Sequence, residues 1–359
     1  MDRIKKVLII GAYPNRDNLK DGMIQRIKAI DSELTEVHKT YITFGNYSFS
    51  RKRINEYTEV VHAHYLYSYL KIRKVLKENY DVIYFHSIIN FRWILPYNIS
   101  SIKNKILDFH GAVPEEYRFL GGSMWKSRIW DKIEKRAINC CTAFVVVSRN
   151  MQHYYMKKYS GISHNFILKP IIPPQLNDNN VYNDVVKHLK EDLKLDDKPI
   201  ILYSGNFQAW QNLDKMIEFI KHNKHKYNYI FLTGDIETLE KKLTSENLEK
   251  QNNIIRRSVD PKDLSKYYAL ANYGFLLRDE NPLNYVAAPT KLVEYFAFGM
   301  TPIMLYDEIY DRQRFKYDYV SYNDAIDQNL KACKSERNIS IYHKILETYQ
   351  RHNIKLYLD

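Results

Sequence analysis

The sequence has little cysteine: only Cys140, Cys141 and Cys333 among 359 residues. Two are adjacent and cannot easily bridge, and no paired metal-ligand spacing exists, which excludes a disulfide-stapled scaffold and a structural zinc domain. Such usage fits a reducing cytoplasm. No apolar run approaches the roughly 20 residues a membrane-crossing helix needs. The opening "MDRIKKVLIIGAYPN" puts basic residues before an apolar run, as a signal peptide does, but the run is only Val7 to Ile10 and reads as a first β-strand. No G-x-G-x-x-G is present, which removes the dinucleotide fingerprint. Low-complexity segments are also lacking.

What is there points to two domains, because a chain of this length exceeds what one hydrophobic core usually serves. Hydrophobic residues at 45% and charged residues at 27% give the balance of a soluble globular protein. Charge is unevenly divided. Residues 1–185 hold 28 Lys and Arg against 17 Asp and Glu, a net of +11; the remainder holds 26 against 25, so almost all of the +12 lies in the first half. A basic half points to an anionic partner (phospholipid headgroups, a lipid-linked phosphate or nucleic acid) or to a solvated surface that aids solubility. No nucleic-acid-binding motif accompanies it, and no nucleic-acid partner is expected.

Two segments echo each other. "KKVLIIGAYPNRDNLKDGMIQRIKAI" from Lys5 and "KPIILYSGNFQAWQNLDKMIEFI" from Lys198 each run from an apolar strand through Gly and a polar loop into an amphipathic helix. Each would open a βαβ domain with its strand at the sheet centre. Further strand-like runs fall at 81–86, 105–110, 143–148 and 165–168, with helical patterns at 56–79 and 123–138. The second half shows strand-like runs at 229–234, 253–257, 273–277 and 301–305, and helices at 213–224, 237–249, 261–270 and 290–298. The alternation predicts an α/β chain with two Rossmann-like parallel-sheet domains, 1–175 and 185–335, and a C-terminal segment 336–359 packing back at the junction. The junction itself is expected in the Pro-, Asn- and Asp-rich stretch Lys169–Asp184. Ligands of parallel sheets bind outside the carboxyl ends of the strands, so two facing domains leave a cleft in which one half holds a donor and the other an acceptor.

The stretch with most chemistry is "RDENPLNYVAAPTKLVEYFAFGMTPIM", Arg278 to Met304. Pro289 suits the start of a helix, whose first amides then point at the loop and can receive a phosphate. Lys291 sits in that first turn, and Arg278 follows a strand on the ligand-binding edge; together they can neutralise a diphosphate. Glu294, one turn further, reaches hydroxyls beyond the phosphates, and a carboxylate accepting from vicinal hydroxyls is a common ribose grip. The alternative is that Glu294 only favours the helix N-terminus and Lys291 is a solvated cation.

These residues resemble a family. "PTKLVEYFAFGMTPIM" is similar to the donor-site signature of retaining, nucleotide-sugar-dependent GT-B glycosyltransferases, most like glycosyltransferase family four of the group 1 type. "YSGNFQAWQNLD" stands where that family's donor-domain first loop stands, and "CTAFVVVSRNMQHYYMKKY", "LDFHGAVPEE" and "SVDPKDLSKYYALANYGFLL" look like its further segments. The resemblance implies that Glu294 binds the donor ribose and that Thr290, Lys291 and the local amides meet the diphosphate, assisted by Arg278. It implies that Gly205 and Asn206 let the backbone approach the phosphate, that Val259 borders the base, and that His110 faces the donor sugar. Gly22 would lie near the phosphates or the acceptor. Glu115 and Glu116 could orient an acceptor hydroxyl, with a solvated loop pair as the alternative. His86 is read as structural. The family often has a Glu where Val286 stands, and cations in the loop Gly205 to Asp214, which here has none.

No Asp-x-Asp metal clamp is present, so the resemblance implies metal-independent hexosyl transfer with retention, no cofactor, and a nucleotide-diphosphate-sugar donor. The acceptor expected is a saccharide, lipid-linked, in capsule, exopolysaccharide or lipopolysaccharide synthesis. The location expected is cytoplasmic with membrane association. A basic helix opening at "SRKRINEY" (50–57) and continuing through "KIRKVLK" (71–77), with Tyr65, Tyr67 and Tyr69 interleaved, is either an anionic-membrane face or an ordinary exposed one. Two other readings stay open: a non-catalytic GT-B partner subunit and a sugar-nucleotide epimerase of the same fold.

Overall fold

The computed structural model describes residues 5–18, 21–159, 165–173, 176 and 183–358. Much of the stretch 169–184, where the sequence places the domain junction, lies outside them. The chain divides into two compact units: Met1–Pro170 with Thr348–Asp359, and Ile171–Glu347.

The first unit is built on β1 (Lys6–Ile10), β2 (His38–Gly45), β3 (Ser50–Arg53), β4 (Thr58–His64), β5 (Val82–His86), β6 (Asn104–Asp108), β7 (Ala143–Val146) and β8 (Phe166–Leu168). They form one sheet in the order β3-β4-β2-β1-β5-β6-β7-β8, parallel except for the β3–β4 pair. The continuous apolar run Val7–Ile10 is fully buried, as expected for a central strand covered on both faces. Neighbours of β1 run away in opposite directions of chain order, so the β1–β5 boundary is the topological switch point.

One expectation is corrected here. Residues 56–79 are not one helix: β4 pairs with β2 along its length, and only Tyr69–Leu76 is helical. Likewise 50–57 opens no helix, because Ser50–Arg53 is an exposed antiparallel edge strand. Val60, Val61 and Ala63 are buried on both faces of β4, and a short continuous apolar run does not distinguish strand from helix by period. Basic residues on β3 are what keeps an exposed edge from pairing with another chain.

The second unit holds β9 (Ile200–Ser204), β10 (Asn228–Leu232), β11 (Ile254–Arg257), β12 (Tyr273–Leu276), β13 (Thr301–Met304) and β14 (Val320–Ser321). All pair in parallel, in the order β11-β10-β9-β12-β13-β14, with the switch point between β9 and β12. Helices Leu213–His222, Ile236–Ser245, Leu264–Leu270 and Thr290–Ala297 cover the sheet. Two apolar clusters form its core, one holding Leu202, Tyr268, Leu292 and Tyr295, the other Tyr203, Phe219, Phe231 and Phe275.

The helix Glu336–Arg351 leaves the second unit at its end, and residues 348–358 belong to the first. Ile354 and Leu358 are buried in the β1-side core with Ile27, Ile30 and Val37. Glu33 ties this end down: its Oε2 accepts from the Ile354 amide at 2.8 Å, and its Oε1 meets Lys169 Nζ at 2.5 Å. That lysine also donates to the Tyr349 carbonyl at 2.7 Å and lies 3.5 Å from the centre of its ring.

Candidate functional site

A pocket of about 280 Å³ opens at the carboxyl edge of the second sheet. Three successive strands end in it. Ser204 and Gly205 follow from β9, Thr233 and Gly234 from β10, and Ser258 and Val259 from β11, with Thr290, Lys291 and Glu294 on the far wall. Two strand spacings of about 4.8 Å make a groove roughly 10 Å long, the reach from a nucleobase to its phosphates. Its polar grip is at the β9 end. The Tyr268 hydroxyl donates to Glu294 Oε2 at 2.8 Å and is 2.7 Å from Ser204 Oγ. Burial, then the neighbouring Glu294 charge, holds the Tyr268 phenol well above its ordinary value, so it stays a donor. Glu294 is itself buried at the pocket wall, fixed in one orientation by this bond.

The helix Thr290–Ala297 begins at Pro289, whose backbone is extended and which offers no side-chain cap. Its first amides therefore have no side-chain acceptor at the cap, and the first two helical residues, Thr290 and Lys291, line the pocket. Lys291 has no carboxylate within ion-pair distance among the described residues; its Nζ lies 5.3 Å over the Tyr203 ring. Burial, then the like charge of Arg278, lowers this amine from 10.5 to about 8, with Glu294 acting the other way. Arg278 is lowered to about 10 by burial, and its Nε finds no partner among the described residues. Two desolvated, mutually repelling cations thus stand beside a helix start without a side-chain cap, an arrangement whose chemistry suits an anion. Gly205 is required there. Its φ is +124°, and a Cβ would sit 2.9 Å from Lys291 Nζ.

The first-unit candidates form a separate constellation. His110 follows β6 and His86 ends β5, with His86 Nδ1 and His110 Nε2 3.3 Å apart. Between them stands Asp108, fully buried, whose Oδ2 is 3.4 Å from His110 Nε2. Arg26 clamps both Asp108 oxygens at 2.7 and 3.0 Å, and the Tyr84 hydroxyl donates to Oδ2 at 3.0 Å. Burial, the largest single influence, raises the Asp108 carboxyl, but Arg26 and the contacts with His110 and His86 together outweigh it, and the net is well below the usual range. Burial lowers His86 to about 4, so it is neutral. Two imidazoles and a carboxylate can in principle hold a metal, yet here a guanidinium and a phenol already occupy the carboxylate, so the donor set does not suit a divalent ion. His110 Nδ1 has no partner among the described residues.

The remaining predicted residues are placed as follows. Asn206 is exposed beside the pocket, where its carbonyl accepts from Tyr203. Gly22 opens the helix Gly22–Glu33 in open space, capped by Asp21, so nothing there demands a glycine. Glu115 is held by Arg118 at 3.1 Å and Lys158 at 2.9 Å, while Glu116 lies against Gly111. Val286 is buried. Within the second unit the fold thus gathers Gly205, Val259, Thr290, Lys291 and Glu294 into one pocket, with Arg278 near Lys291. His110, Gly22, Glu115 and Glu116 belong to the first unit. Sequence reasoning missed Tyr268, Ser204, Thr233 and Ser258. A signal existed for two of them: β9 ends in Ser204 and β10 is followed by Thr233, each a hydroxyl residue before Gly, "YSG" and "LTG".

Residues 41–165 match the family model for Glycosyltransferase Family 4. A comparison with curated proteins yields no significant match. Among solved structures the chain is similar to sucrose-phosphate synthase from Thermosynechococcus elongatus, with a TM-score of 0.68 at 12% identity, covering 99% of this chain and 97% of that one. It is similar to HepE of Anabaena in complex with UDP and glucose, with a TM-score of 0.69 at 11% identity over 98% and 99% of the two chains. A glycosyltransferase from Rickettsia africae gives 0.62 at 13% identity over 99% and 96%. With two parallel-sheet units and this fold likeness throughout, the chain has the two-domain GT-B fold, and residues 41–165 of its first unit are similar to Glycosyltransferase Family 4.

Proposed function

We propose that this protein is a retaining glycosyltransferase that moves a hexose from a nucleoside-diphosphate sugar to a saccharide acceptor. The observation that carries the reading is the second-unit pocket, where Glu294, held by Tyr268, stands one helical turn behind Lys291, which has no carboxylate within ion-pair distance among the described residues and lies against Gly205. HepE binding UDP and glucose supports the donor class. In the transfer the anomeric carbon–phosphate oxygen bond breaks and a bond to the acceptor oxygen forms on the same face. The acceptor proton passes to the departing phosphate oxygen. Lys291, Arg278 and the helix-start amides stabilise the charge that develops on the diphosphate, with no reorganisation needed. The reading needs no cofactor and no metal.

The acceptor is proposed to be a lipid-linked saccharide in bacterial surface-polysaccharide assembly, approached by the basic first unit at an anionic membrane. The support is the net positive charge of residues 1–185. A panel of nucleotide sugars tests the function: thermal stabilisation selects the donor, and release of nucleoside diphosphate with and without saccharide acceptors reports transfer. A ligand at a hundredfold excess over its Kd adds about 2.7 kcal/mol. A second reading, a nucleotide-binding but non-catalytic partner subunit, is favoured by the cation-free loop Gly205–Asp214. Binding of a nucleoside diphosphate without turnover of any donor sugar would select it.

A further inference from the structure

The first unit exposes an apolar surface that its own fold does not use. Leu66, Tyr67 and Leu70 at the β4-to-helix turn, and Leu120, Met124 and Trp125 at the corner before the helix Met124–Cys140, are each 62% to 87% exposed. Single exposed apolar residues are ordinary; two groups of three are not. The two groups are linked through Arg92 and Trp93, which follow β5. Tyr65 lies 5.4 Å from Trp93, and the Arg92 guanidinium covers Trp93 at 4.2 Å and Trp130 of the long helix at 5.2 Å. All three elements follow the carboxyl ends of β4, β5 and β6, the ligand-binding edge of the sheet.

The surroundings select the partner. Lys71 and Lys74 on the helix Tyr69–Leu76, and Lys126 and Arg128 on the helix Met124–Cys140, are exposed. The acids of the second helix are withdrawn: Asp131 pairs with Arg118, and Glu134 is buried against Lys158. A positive field therefore frames leucine, methionine and tryptophan side chains. Protein-binding surfaces are depleted in lysine, whereas Lys and Arg beside Trp, Tyr and Leu suit the boundary between headgroups and acyl chains. We propose that this surface seats the protein on an anionic bilayer, with Leu66, Leu70, Leu120 and Trp125 entering the acyl boundary and the four cations meeting the headgroups. The proposal specifies the membrane contact of the functional reading, but its test does not depend on sugar transfer.

The test is sedimentation of the full chain with vesicles of phosphatidylcholine, alone and mixed with phosphatidylglycerol. The wild type is expected to pellet with the mixed vesicles and to be released by high salt. Serine at Leu66, Leu70, Leu120 and Trp125 together, or glutamine at Lys71, Lys74, Lys126 and Arg128 together, is expected to lower partitioning by about tenfold or more. Melting curves by circular dichroism control for folding. Should the serine variant fail to fold, quenching of tryptophan fluorescence by brominated phospholipid decides, with Trp125→Phe expected to remove most of it. UDP binding should be unchanged in every variant, because the nucleotide pocket lies in the second unit. Three results overturn the proposal while leaving the nucleotide reading intact: no wild-type binding to the mixed vesicles, variants that bind equally well, or a wild-type dimer that the serine variant dissolves.

Discussion

Replacing Lys291 by Met should make the unliganded protein more stable and nearly unable to hold a nucleoside diphosphate. The amine falls from 10.5 to about 8 on folding, through burial first and Arg278 second. At about 1.4 kcal/mol per unit this bounds the cost of keeping it charged at roughly 3 kcal/mol, and its partial exposure reduces that to about 1–2 kcal/mol. Methionine carries no such cost, so the variant should melt about 2–6 °C higher at neutral pH. The sign has a pH signature. The unfolded chain keeps the proton up to about 10.5 and the folded protein only to about 8, so the cost is full below pH 8 and vanishes toward 10.5. The variant's advantage should shrink across that window. Ligand binding runs the other way: losing one charge-assisted bond to a phosphate costs about 2–3 kcal/mol, or roughly 30- to 150-fold in Kd. Wild-type affinity for UDP should be highest below about pH 8 and weaken above it, by up to about tenfold per unit. Scanning fluorimetry and titration calorimetry with UDP read both quantities. A variant that melts lower than wild type and still binds UDP normally would refute the reasoning, because Lys291 would then be a structural cation.

Gly205→Ala should weaken UDP binding by tenfold or more and cost about 1–2 kcal/mol of stability, since the new methyl must occupy both a left-handed backbone and the space of the Lys291 amine. Tyr268→Phe leaves Glu294 without the phenol's 2.8 Å bond; a loss of about 1–3 kcal/mol in stability is expected, with a larger loss in affinity for UDP than for inorganic pyrophosphate. Asp108→Asn strands Arg26 in the first-unit core and should cost about 3–5 kcal/mol in chemical denaturation. In the wild type, the depressed Asp108 carboxyl contributes stability that is present above its unfolded value and lost as pH falls through the folded one, so acid unfolding should begin below about pH 4 and be absent from this source in the variant.

The sequence shows the second unit more clearly than the first for a physical reason. Strands such as Ile200–Ser204 and Tyr273–Leu276 are short apolar runs bounded by Gly or polar loops, and the helix at Thr290 starts after a proline. Each local signal agrees with the fold. In the first unit β2 begins "HKTY" and β4 "TEVV", where polar residues share strands that the sheet buries, and turn signals are sparse. Burial there is decided by tertiary pairing with β1, which no local window contains. The same holds for the pocket. Lys291 and Glu294 are three residues apart on one helix and can be read together. Tyr268 reaches Glu294 from 26 positions away and Ser204 reaches Tyr268 from 64, through a sheet order that only folding supplies. His86, whose buried ring is neutral, stands 3.3 Å from His110, a proximity between residues 24 positions apart that no local window contains.

The anchoring of Ile354 and Leu358 beneath β1 and β2 has a consequence for biosynthesis. A chain emerging from the ribosome displays residues 1–170 early, yet the hydrophobic seat for those two side chains is filled only once residues 348–358 follow. The second unit, whose residues 171–347 are contiguous, can consolidate first although it is made later. The core of the first unit is therefore completed by a segment that is made after the whole of the second.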